Sequence, residues 1–116
     1  MKKIYHLSTC STCARIIKEL NLEKNGFKFQ DIKTEKITPA QLDEMKAMAG
    51  NYESLFSRKA LKYRAMGLDK KQLTDKEYRS LILEEYTFLK RPVIFIGKKI
   101  FVGNNKNVIA EAKNTI

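Results

Sequence analysis

The sequence predicts an α/β fold, a four-stranded mixed sheet with flanking helices and a helical lobe inserted in mid-chain. Three observations predict it. A strand-like run, Lys3-Ile4-Tyr5-His6-Leu7, leads into a helical pattern and then a second strand. That strand–helix–strand order, in about thirty residues, is the signature of a βαβ unit. The middle of the chain shows helix N-termini and no clear strand. Near the end a continuous apolar run, Val93-Ile94-Phe95-Ile96, turns back on Ile100-Phe101-Val102 before a last helix.

In order, residues 3–7 read as the first strand. Residues 12–24 read as a helix, with Cys13, Ile16, Ile17 and Leu20 at the i, i+3, i+4, i+7 spacing of one buried face and Asn25-Gly26 as the stop. Phe27–Ile32 alternates apolar and polar residues as a strand does, with a slip after Gln30. A crossover of this kind is right-handed and makes its two strands parallel. Thr38-Pro39-Ala40-Gln41 opens the next helix. Thr38 is the cap, Pro39 sits where a missing N–H costs nothing, and Gln41 completes a capping box before Gly50 ends the helix. Tyr52–Phe56 fits a helical turn or a tight connection. Residues 57–66 read as helical up to Gly67, and Thr74-Asp75-Lys76-Glu77 is a second capping box. The methionines of this region, Met45, Met48 and Met66, read as core filler. Val93–Ile96 reads as a strand covered on both faces and paired in a short hairpin across Gly97-Lys98-Lys99. Asn104 or Asn105 can cap the final helix.

With 116 residues the expectation is one domain, 1–116, with residues of about 38–90 as the inserted lobe. The stretch between Lys3 and Ser8 is too short for a signal-peptide apolar region, and no run approaches the roughly 20 residues of a membrane span. A cytoplasmic protein with no membrane contact is therefore expected, in a compartment that keeps thiols reduced. The net charge of +10 suits a solvated basic surface or attraction of small oxyanions or an acidic partner. The lysines are scattered rather than interleaved with aromatics, so direct nucleic-acid binding is not expected.

The chemistry concentrates in Cys10-Ser11-Thr12-Cys13, which holds both cysteines of the chain. A thiol at a helix N-terminus is favoured as thiolate by unpaired N–H groups, and oxyanions are favoured at the same place. Cys10, ahead of the helix, is the candidate nucleophile. Cys13, one turn on and within the apolar stripe, is the candidate resolving thiol. Ser11 and Thr12 at the helix start are candidate anion-binding positions. His6 ends the strand four residues before Cys10, where it can stabilise the thiolate or meet an anion, or simply pack. A closed zinc site needs four ligands, and two cysteines with one histidine do not supply them, so no metal is expected.

The element order resembles a thioredoxin-like fold. That resemblance implies a cis Pro92 at the start of the third strand, beside the cysteine turn, and brings Arg91 to the same place with a planar fork of donors suited to an oxyanion. Arg58 in the helical lobe is a further candidate anion-binding cation. More specifically, Ile4-Tyr5-His6 with Cys10, Leu55-Phe56-Ser57-Arg58-Lys59, Tyr63 with Gly67-Leu68, and Arg91-Pro92-Val93-Ile94 together resemble the arsenate reductase family, which includes the Spx regulators. The resemblance implies that Cys10 attacks arsenate bound by arginines. It also implies no bound cofactor, with electrons drawn from an external thiol, glutathione with glutaredoxin or thioredoxin. Two departures stand out. Val102-Gly103-Asn104 occupies the place of a third arginine, and a C-x-x-C pair replaces a single loop cysteine. Both are similar to Spx, which implies the alternative of a redox-responsive transcriptional regulator that binds the alpha subunit of RNA polymerase.

Overall fold

The computed structural model describes residues 1–116. Four strands, β1 (Lys2–His6), β2 (Lys28–Asp31), β3 (Val93–Ile96) and β4 (Lys99–Val102), form one sheet in the order β2-β1-β3-β4. β1 and β2 are parallel, and β3 is antiparallel to both β1 and β4. The helices are α1 (Ser11–Glu19), α2 (Pro39–Ala49), α3 (Leu61–Ala65), α4 (Asp75–Glu84) and α5 (Lys106–Thr115). The chain divides into two compact units, Met1–Lys36 with Arg91–Ile116, and Ile37–Lys90. No helix is long and apolar enough to cross a membrane.

In the first unit the central strands align Ile4 with Ile94 and Ile94 with Phe101, so one sheet face is a continuous apolar row. Ile16 and Leu20 of α1 and its C-terminal cap, and Ile109 and Ala112 of α5, bury against that row. The opposite face carries Tyr5, Val93 and Phe95, all buried, with the Tyr5 and Phe95 rings edge-on at 6.0 Å. All four residues of β3 are buried, as its unbroken hydrophobicity predicts for a strand with neighbours on both sides. Gly97 closes the β3–β4 hairpin at φ 61°, the left-handed first position that a two-residue type II′ turn requires.

α1 ends earlier than the sequence pattern predicts, at Glu19 rather than near residue 24. Asn21 adopts φ 55°, and the bonds Asn21 N–H to Lys18 O (3.1 Å) and Leu22 N–H to Ile17 O (3.1 Å) complete a Schellman closure. Asn25, expected as the stop, instead donates its side-chain amide back to Asn21 O at 2.8 Å. Asn21→Ala is expected to cost about 1–2 kcal/mol, the usual strain of a Cβ in the left-handed region, whereas Asn21→Gly should be near neutral. Urea unfolding of the two variants checks this.

In the second unit both capping boxes form, Thr38 with Gln41 and Thr74 with Glu77. Each such cap contributes about 1 kcal/mol. Phe56 is the aromatic centre, with the rings of Tyr78 at 4.8 Å, Phe88 at 5.0 Å and Tyr63 at 5.8 Å. Arg79 makes a forked bond to Asp43 (2.8 and 3.2 Å) that ties α4 to α2. With Tyr52 also donating, that arginine holds the exposed Asp43 carboxyl down to about 2. Residues 57–66 are not one helix. Ser57 N–H bonds Phe88 O (2.7 Å) and Lys90 N–H bonds Leu55 O (2.8 Å), so the backbone around Phe56 pairs across the chain, and only Leu61–Ala65 is α-helical. Met45 is fully buried, but Met66 is 46% exposed and is no core residue.

Candidate active site

The cysteine turn is built by the end of β1 and the start of α1. Cys10 N–H bonds Leu7 O (3.0 Å), closing a turn over Ser8-Thr9, and Cys10 O accepts the first helical bond from Ala14 N–H (3.1 Å). Cys10 is thus the N-cap of α1, with extended dihedrals of φ −93° and ψ 114°. Both cysteines are free thiols, Cys10 half-buried and Cys13 only 1% exposed.

Their electrostatics diverge. Burial alone would raise the Cys10 thiol. The Cys13 backbone N–H, the Cys13 thiol, the Thr12 N–H and the charge of Arg91 outweigh it and hold the group below its ordinary value. Burial pushes the Cys13 thiol up to about 11, the nearby Cys10 sulfur adding to it, although the Leu7 backbone and Arg91 act the other way. The thiolate form is therefore concentrated on Cys10. Near neutral pH Cys13 is held as the neutral thiol. Alkylation with iodoacetamide should label Cys10 first, with a rate midpoint at lower pH than that of free cysteine, and spare Cys13. Peptide mass mapping across a pH series checks both statements.

Arg91 and Pro92 enter the site at the start of β3, and the bond between them is cis, as the fold resemblance implies. Pro92 is buried, and its carbonyl accepts Gly103 N–H at 2.9 Å. The Arg91 Nη1 atom is buried with no hydrogen-bond partner. A buried cationic donor without an acceptor costs upwards of about 1–3 kcal/mol.

Ser11 is exposed and Thr12 half-buried at the first turn of α1, where Thr12 contributes its N–H to Cys10. His6 stacks edge-on against Phe29 at 5.6 Å, and its burial lowers its pKa against the pull of Asp31. It is thus biased toward the neutral imidazole. Arg58 lies in the other unit, where its Nη2 donates to Glu53 Oε2 (2.7 Å) and the Tyr78 hydroxyl (3.0 Å) and its charge is reinforced by Glu53. Cys10, Cys13, Thr12 and Arg91 are brought together within the first unit, and Arg58 is held by partners of its own.

Asp31 is the contributor that the sequence reading passed over. It ends β2 in register with His6, and hydrogen bonds from the Ser8 side chain and backbone, with one from Lys33 N–H (3.1 Å), hold its carboxyl low. It ties the cysteine turn to β2. The slip in alternation after Gln30 was its only trace in the sequence. No cluster of three or more His, Cys, Asp or Glu side chains is placed to hold a metal ion.

The ArsC family model matches residues 5–112. The chain belongs to the ArsC family. Among solved structures, this ArsC-family chain is similar to a Staphylococcus aureus protein at 28% identity, covering 96% of this chain and 97% of that one with a TM-score of 0.76. It is similar in fold to the YffB protein (24% identity, coverage 97% and 98%, TM-score 0.81). The arsenate reductase from Vibrio cholerae shares the fold at 14% identity, with coverage of 99% and 97% and a TM-score of 0.80. A search of curated proteins found no match. These likenesses establish the thioredoxin-like architecture of an ArsC-family protein, a mixed four-stranded sheet with flanking helices.

Proposed function

We propose that this ArsC-family chain is an arsenate-reductase-like thiol oxidoreductase of the cytoplasm, with Cys10 as nucleophile and Cys13 as resolving thiol. The observation that carries the reading is the buried, unpartnered Arg91 Nη1 beside a cysteine held toward its thiolate. Arg91, with the N–H groups of Ser11 and Thr12 at the start of α1, binds the oxyanion.

The Cys10 thiolate attacks arsenic(V), an S–As bond forms, and one arsenate oxygen leaves as water after protonation. Cys13, or an external thiol, then attacks the Cys10 sulfur. A disulfide forms, the electron pair of the S–As bond stays on arsenic, and arsenite departs. Two thiols are oxidised and arsenic is reduced by two electrons. Once Cys10 is bonded to arsenic its charge no longer raises Cys13, which eases deprotonation of the second thiol. The external donor, glutathione with glutaredoxin or thioredoxin, reduces the disulfide; no group resident in the protein is required.

Thiol-coupled arsenate reduction by the purified protein tests the reading, and turnover that survives Cys10→Ser overturns it.

The absence of arginine from Val102-Gly103-Asn104, where β4 ends, favours a second reading, a Spx-like regulator in which the Cys10–Cys13 pair is a switch. Redox-dependent binding to the RNA polymerase alpha subunit in a pull-down supports that reading. Binding in neither redox state removes it.

A further inference from the structure

Away from the cysteine turn, α1 and α5 enclose a groove of about 400 Å³ within the first unit. Its floor is Ile16 and Ile109, both almost wholly covered by the core, with Ala110 exposed beside them, and its rim carries Arg15, Lys106 and Lys113. Glu19 is the one acidic side chain lining it, and Asn104 closes one end. None of the three cations is ion-paired; the salt bridges of the molecule are Arg58–Glu53, Lys62–Glu85 and Arg79–Asp43. Three unneutralised cations around an apolar slot repel one another and gain from an anionic occupant. The proposed chemistry at Cys10 uses none of them.

We propose that this groove docks an acidic amphipathic helix of a partner protein. Two features select that occupant. Lys106, Ala110 and Lys113 fall at i, i+4 and i+7 on α5, so the two lysines stand about 10 Å apart along one helix face with an apolar residue between them. A partner helix with acidic residues at i and i+7 and small apolar residues between repeats that spacing and meets the exposed Ala110 with its apolar stripe. Second, no aromatic side chain lines the groove. Single-stranded nucleic acid, the other polyanion of suitable length, gains much of its affinity by stacking bases on such rings.

The test uses the whole chain and a fluorescent synthetic helix, Ala- and Leu-faced with Glu at i and i+7, read by anisotropy. A composition-matched scrambled peptide and an oligothymidylate serve as comparisons. The amphipathic peptide is expected to bind at least tenfold more tightly than the scrambled one, and to weaken as salt rises. Lys106→Glu with Lys113→Glu should reduce binding at least tenfold while leaving thiol alkylation at Cys10 unchanged. A peptide with Lys in place of its Glu residues should then bind the double variant in preference to the parent. Circular dichroism establishes that the variant is folded, and Lys106→Gln with Lys113→Gln gives a second, uncharged pair. No peptide binding, binding indifferent to these substitutions, or oligothymidylate binding of equal strength that the same substitutions abolish each overturns the proposal.

Discussion

Cys10→Ser is expected to lower thiol-coupled arsenate reduction by about three orders of magnitude or more, to the level of the donor thiols alone. Serine is nearly the same size, and the half-exposed N-cap position accepts it readily, so the fold should be unchanged. What is lost is the anion. The N–H groups and the arginine that hold Cys10 toward thiolate cannot bring a hydroxyl, whose pKa is far higher, into its ionised form near neutral pH. Cys13→Ser separates the two roles of the pair. If Cys13 resolves, this variant should stall as a mixed disulfide between Cys10 and the donor thiol, visible as an added mass. Turnover would then depend steeply on donor concentration. Unaltered kinetics in Cys13→Ser would assign resolution to the external thiol.

The second large effect is at Arg91. Arg91→Ala should reduce kcat/KM for arsenate by about 10²–10³-fold, the usual loss on removing one donor from a pre-organised anion site. Arg91→Lys should recover only part, because an ammonium is a point charge without the planar fork. Two further readouts distinguish anion binding from a structural role. The alkylation midpoint of Cys10 should move to higher pH in Arg91→Ala, since the guanidinium is one of the influences that lower it. Thermal stability should hold or rise in Arg91→Met, because a buried donor without a partner disappears. A simple structural arginine would show the opposite, a loss of stability with no change in the Cys10 profile.

How far the site could be read from sequence differed residue by residue. The C-x-x-C turn was legible because strand and helix periodicities meet there, which is local information. Arg91-Pro92 could be placed only through a fold resemblance, since nothing near it in the chain says that it reaches Cys10. The burial of Nη1 is a tertiary fact with no sequence signal. Helix ends misled where two candidate stops competed. Asn21 and Asn25-Gly26 both suit a C-terminus, and the Schellman bonds to Ile17 and Lys18 decided for the earlier one. Around Phe56 the helical pattern was overridden by pairing with Phe88–Lys90, an interaction across more than thirty positions that periodicity does not register. Arg58 looked like a free cation because its partner Glu53 lies five residues earlier in a 3₁₀ turn, a spacing that no helical face rule flags.

β1 sits inside the sheet, between β2 and β3, with Tyr5 opposite Val93. During synthesis the first strand therefore waits for nearly the whole chain before its second neighbour exists. Throughout that interval only the N–H groups and thiol of its own turn are present to lower Cys10, because Arg91 has yet to be made. The last of the influences on Cys10 therefore depends on closure of the β1–β3 ladder, so a site that begins at residue 10 is completed by a residue made near the end of the chain.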